Sequence, residues 1–159
     1  MLRLIGYWMA SLDDDDFCLP QECVCVEKSS TPEIVADYLE AGHRVRAFCG
    51  YSWCRFLCGV AVTRMGSSEL TDGTWAWPEG LSHYVREHNV ALPDEFIQHV
   101  LHTDLRLLGK LDQFQERRVS SIVDGEEIHV LRPELDLQFW KEWCSRRRSS
   151  STAIIIQRA

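Results

Sequence analysis

The sequence predicts an α+β fold: a mixed or mainly antiparallel sheet, several short helices and a C-terminal extension on a single domain. Three observations predict it. Asp72-Gly73 and Asp124-Gly125 each stand between strand-like runs and mark tight hairpin turns. Helix-start residues at Ser30, Pro78 and Pro93 are each followed by apolar residues at helical spacing. At 159 residues with 45% hydrophobic content, the chain is long enough to bury one core without disulfides.

The elements follow in chain order. Leu2 to Ala10 is apolar and aromatic and reads as a first strand. Asp13 to Asp16 form a solvated turn, and they lack the spaced ligands and glycine of a calcium loop. Cys18 to Val26 alternates in part and reads as a second strand. Ser30 with Glu33 fits a capping box, and Pro32 is tolerated in a first helical turn. Ile34, Val35, Tyr38 and Leu39 form that helix's apolar face, and Gly42 is its stop. Val45 to Val62 reads as strands broken at Gly50 and Gly59. Glu69 to Trp77 reads as strand, turn and strand, with Trp75 and Trp77 on one face. Pro78 opens a helix with Leu81, Tyr84, Val85 and His88 on its stripe and Asn89 as terminator. Pro93, Asp94 and Glu95 open the next, with Phe96, Ile97, Val100 and Leu101 apolar. Val119 to Val130 is a hairpin, and Pro133 starts a last helix carrying Leu135, Phe139, Trp140 and Trp143. Beyond Ser145 the chain reads as a frayed tail, or as an edge strand through Ile154 to Ile156. The division is a core over 1–108, a hairpin-and-helix extension packed on it over 109–144, and a tail over 145–159.

Charge and cysteine usage bound the function. Net charge is −7, and residues 1–100 alone hold 15 acidic and 7 basic residues. Nucleic-acid binding needs clustered Lys and Arg, so that class is disfavoured. No apolar run reaches the roughly 18–20 residues that span a membrane. The start lacks a signal-peptide layout, so a cytoplasmic protein is expected. Seven cysteines cannot all pair within one chain, and free thiols are expected in a reducing compartment.

The sharpest chemistry lies between Cys54 and His88. Cys54 and Cys58 precede the Trp75–Trp77 strand, and His83 and His88 sit on the helix after it. Thiolate pairs and imidazole pairs at short spacing are what tetrahedral zinc takes. One structural zinc on Cys54, Cys58, His83 and His88 is therefore one reading, with Cys49 as a replacement ligand. Buried thiols and hydrogen-bonded core histidines are the other. Five residues turn about 140° around a helix, so one histidine is expected past the helix end. No zinc-protease helix pair is present.

Around these residues the chain resembles a family of small bacterial proteins with a Gly-Tyr-Ser-x-Cys-Arg-x-Cys-Gly motif and a Glu-Leu-Thr-Asp-Gly … Trp-Pro-Glu-Gly-Leu-x-His-Tyr-Val motif. Gly6 to Trp8, Gly50 to Gly59, Glu69 to Val85, His88 and Leu92-Pro93 carry the likeness, which covers roughly the first 100 residues. This chain has one extra residue between its two cysteines. The resemblance implies a bacterial setting and no particular activity.

Composition and motifs favour a small acidic binding protein over an enzyme. A protein partner is expected, and a basic toxin neutralised by an immunity-type inhibitor is the most specific form. Asp13, Asp14, Asp15 and Asp16, with Trp75 and Trp77, are the candidate contacts, since aromatic anchors and complementary charge drive such interfaces. A zinc-stabilised module with another ligand is the alternative. A Cys/His enzyme using Cys54 or Cys58 with His83 or His88, and Arg55 lowering a thiol pKa, is the second. Glu69, Asp72 and Glu79 are its candidate acids or bases.

Overall fold

The computed structural model describes residues 1–9, 16–25, 32–104, 116–123 and 126–157, with backbone alone for 116–123, 126–133 and 150–157. Five strands form one mixed sheet. In spatial order they are β2 (His43–Ala47), β3 (Ser68–Thr71), β4 (Trp75–Pro78), β1 (Leu2–Leu4) and β7 (Leu135–Asp136). β2, β3 and β4 run antiparallel in sequence. β1 lies parallel to both β4 and β7. The expected α+β fold with a mixed sheet is what the chain adopts. β5 (Glu116–Val123) and β6 (Glu126–Pro133) form a separate two-stranded hairpin. Their register pairs Val123 with Glu126, and the Asp124-Gly125 turn expected between them lies outside the described residues.

The period of two decides which side each β4 side chain takes. Trp75 and Trp77 face the main core, while Ala76 joins Leu2 and Leu4 in a small second core on the other side. Over the main face lie α1 (Pro32–Glu40), α3 (Leu81–His88) and α4 (Asp94–His102). Phe96 of α4 packs edge-on against both tryptophans. The Trp77 indole N–H donates to the Leu39 carbonyl at 3.0 Å, so this buried donor is satisfied. The last helix, α5 (Gln138–Gln157), brings Trp140 into the same core, where its ring packs on Trp8.

Several sequence expectations give way to local constraints. Among the described residues of the second strand expected over Cys18 to Val26, Pro20–Cys23 form a short 3-10 helix and Val24 makes a single bridge to Val90. Pro20 has no N–H for a ladder. The strands expected over Val45 to Val62 reduce to β2 and a four-residue helix, α2 (Val62–Met65). Gly50, Leu57 and Gly59 all take positive φ, which breaks extended pairing. Pro78 ends β4 rather than opening a helix, and α3 starts after Gly80. Similarly, Pro133 ends β6, Leu135 lies in β7, and the helix starts at Gln138. Its first turn is capped by Asp136, whose Oδ1 accepts the Gln138 N–H at 3.0 Å. The tail expected to fray or form a strand continues α5 to Gln157. The Ser30 half of the capping box lies outside the described residues.

Gly42 follows α1 and faces the Trp77 ring; a Cβ there would stand 2.6 Å from Trp77 Cζ2. A rigid buried ring cannot yield cheaply. Gly42→Ala is expected to destabilise the fold by about 1–3 kcal/mol. Urea denaturation checks this, as a lowered midpoint with an unchanged slope.

Candidate metal centre

Cys54, Cys58, His83 and His88 converge. One ligand atom from each lies within 4.8 Å of all the others. Cys54 Sγ is 3.3 Å from His88 Nε2, and Cys58 Sγ is 3.4 Å from His83 Nε2. The two Nε2 atoms are 3.2 Å apart. A zinc tetrahedron with bonds of about 2.3 Å to sulfur and about 2.0–2.1 Å to nitrogen has S···N edges near 3.5 Å and N···N edges near 3.3 Å. These three edges match to a few tenths of an ångström, and the other three lie within 4.8 Å. The four side chains could therefore hold a metal ion.

Each element contributes for a local reason. The cysteines lie on a turn in which the Leu57 N–H donates to the Cys54 carbonyl at 3.0 Å. Leu57, an extra residue relative to a Cys-x2-Cys turn, takes the left-handed conformation with φ 53°. A residue with a Cβ pays about 1–2 kcal/mol there, and Gly59 with φ 81° completes the reversal. Both histidines belong to α3, against the expectation that one lies beyond it. His88 is its last residue, and Asn89 caps it in the left-handed conformation, as its sequence position predicts. The rings close the angular gap by leaning together, with centroids 4.9 Å apart.

The surroundings fix the ligands. Phe56 stacks on the His88 ring at 4.1 Å. Tyr84 Oη accepts the Arg55 backbone N–H at 3.0 Å, and Gln21 donates to the Arg55 carbonyl at 2.7 Å. Burial holds His83 below the usual imidazole range, aided by its neighbour His88, and burial alone does the same to His88. Both are thus biased to the neutral form that a metal takes. Burial pushes the Cys54 thiol up, so its thiolate needs a cation to form.

The other candidate residues fall elsewhere. Cys49 is exposed and outside the cluster. Trp75 and Trp77 are 2% and 0% exposed, so these proposed partner contacts are core residues instead. Strand alternation gave their shared face, but only packing by α1 and α4 shows that this face is covered. Asp13, Asp14 and Asp15 lie outside the described residues, and Asp16 pairs with Lys141. Glu69 is buried, ion-paired to Arg46 and hydrogen-bonded by the Tyr7 hydroxyl. Burial pushes its carboxyl up to about 7. Asp72 tucks into its own turn, accepting the Thr74 and Trp75 N–H groups, and also meets Tyr38 and His99. Glu79 accepts the Ser67 N–H.

Sequence reasoning missed two features. Arg86 binds Glu33, Asp37 and Glu40 at once. Their spacing along α1 is a readable acidic stripe, but nothing in the sequence names Arg86 as its partner. Phe48, Tyr51, Trp53 and Leu57 are each more than half exposed on the 48–61 loop. Gly50 and Gly59 were the available signal for a loop there. Among the described residues no helix is long and apolar enough to cross a membrane. No family model, curated protein or solved structure matches the chain.

Cobalt(II) added to metal-free chain is expected to give the visible bands of tetrahedral cobalt and a near-ultraviolet thiolate charge-transfer band. Cys58→Ser should weaken the charge-transfer band and lower affinity by about tenfold or more, and Cys49→Ser should change neither. Absorption titration reads both.

Proposed function

We propose that this chain is a zinc-stabilised binding protein whose recognition surface is the 48–61 loop. One observation carries the reading: four mutually close soft and borderline ligands stand at the base of a loop that exposes three aromatic rings and a leucine. The loop contains no strand or helix of its own. Zinc on Cys54, Cys58, His83 and His88 would offset the entropy of ordering it. All four positions would be filled by protein, which suits a structural ion and leaves no position for substrate. The enzyme alternative needs a thiolate at Cys54 or Cys58, and burial of Cys54 opposes that without a cation.

A protein partner fits the loop's composition. Exposed Trp, Tyr and Phe are the residue types that anchor interfaces, and Arg55 lies over the Trp53 ring at 5.1 Å. The acidic net charge favours a basic partner through faster encounter. A toxin neutralised sterically by this loop is the most specific form of the proposal.

Elemental analysis of untagged protein is expected to give one zinc per chain, lost in a Cys54→Ser, Cys58→Ser variant. Absence of zinc from the unmodified chain would sink the metal half of the proposal. For the binding half, immobilised protein should retain a basic partner in stoichiometric amount. Tyr51→Ala with Trp53→Ala should lower that affinity by about 10–100-fold while leaving zinc content unchanged.

A further inference from the structure

Beneath the loop lies a cavity of about 370 Å³. Small-molecule sites span roughly 300–1,000 Å³, so one compact ring system fits. Tyr7, Trp8, Trp53 and Tyr84 give it aromatic walls, and Glu69 and Arg55 are its charged lining residues.

The polar groups leave a definite set of unused bonds. In its ionised form, the one that pairs with Arg46, the Glu69 carboxylate offers about four acceptor positions. Arg46 Nε and Nη2 both bond Glu69 Oε2, and the Tyr7 hydroxyl bonds Oε1. One acceptor position therefore remains, on Oε1. The Arg55 guanidinium has no carboxylate partner among the described residues. Its position over the Trp53 ring pre-organises a fork that matches a carboxylate or phosphate. The buried Trp8 Nε1 N–H, which can only donate, has no acceptor among the described residues either, which favours a guest that carries an acceptor such as an acid group. A cationic guest is disfavoured, because Arg46 already neutralises Glu69 and Arg55 adds a positive charge.

We propose that this cavity binds a small aromatic anion carrying an N–H donor. The ring stacks among the aromatic walls, the acid group pairs with Arg55, and the N–H donates to Glu69 Oε1. The site goes beyond the protein-partner reading and does not rest on it, although the two share Trp53.

Indole-3-acetate is the probe, with indole and 1-methylindole-3-acetate as controls lacking the acid or the donor. Calorimetry on the full chain gives affinity, and NMR follows the Trp8 and Trp53 indole resonances. Indole-3-acetate is expected to bind about tenfold or more tightly than either control, as each lost charge-assisted hydrogen bond implies. Arg55→Met, at a half-buried loop position, should erase the advantage over indole while the thermal midpoint holds. Guanosine monophosphate, tested beside it, shows whether phosphate serves in place of carboxylate; Arg55-dependent binding of either anion supports the site. No shift of Trp8 or Trp53 with any probe at millimolar concentration overturns the proposal. So does an advantage over indole that survives Arg55→Met. Neither outcome depends on recovering a protein partner.

Discussion

Trp77 sits inside the sheet–helix core with its ring fully buried and its indole N–H bonded to the Leu39 carbonyl. A side chain of this size stabilises through apolar burial on the order of 1.5–3 kcal/mol, and the satisfied N–H removes the usual penalty of hiding a donor. The same contact holds the end of α1 over the sheet and leaves room only for glycine at position 42. Strand β4 then leads through Pro78 and Gly80 directly into α3. The helix that carries His83 and His88 is therefore aimed by the packing of the strand before it.

The loop opposite those histidines has a different basis. It draws on scattered anchors: Phe48 to Ser67, Ser52 to Gly66, and Arg55 to Tyr84. These bonds set its path but bury little of it, and its large apolar side chains point outward. Bringing two thiols to two imidazoles closes the longest unsupported stretch. A bound ion would convert that proximity into folding free energy, because the unfolded chain has no preformed site. The left-handed Leu57 is a small cost accepted for this reversal.

Charge is organised locally more than globally. Three carboxylates on α1 converge on Arg86, and Arg46 and Glu69 pair across adjacent strands at matched register. These carboxylates are four of the 24 acidic residues, so the net charge of −7 is left for a partner. With Trp75 and Trp77 in the core, the proposed recognition surface is the aromatic loop, and the proposed ligand site is the cavity below it.

The sequence by itself determined the elements whose signal is local. Asp72-Gly73 specified the β3–β4 turn through its own hydrogen bonds, Asn89 specified the end of α3, and Cys54, Cys58, His83 and His88 were recognisable from residue type and spacing alone. It placed the helix starts at Pro32 and Pro93 correctly but misplaced those at Pro78 and Pro133, because proline marks a break without saying whether a strand ends or a helix begins. Pro78 and Pro133 both ended strands. Tertiary structure alone decided burial and long-range pairing. Trp75 and Trp77 share a face by strand alternation, but only the helices packed over that face make it core. Glu69 finds Arg46 only through strand register, and Tyr7 only because β1 lies beside β4. The histidines meet the cysteines because a covered sheet fixes α3 against a loop that sequence reads merely as apolar. Local backbone chemistry is written in neighbouring residues; burial and convergence are properties of what the rest of the chain brings to the same place.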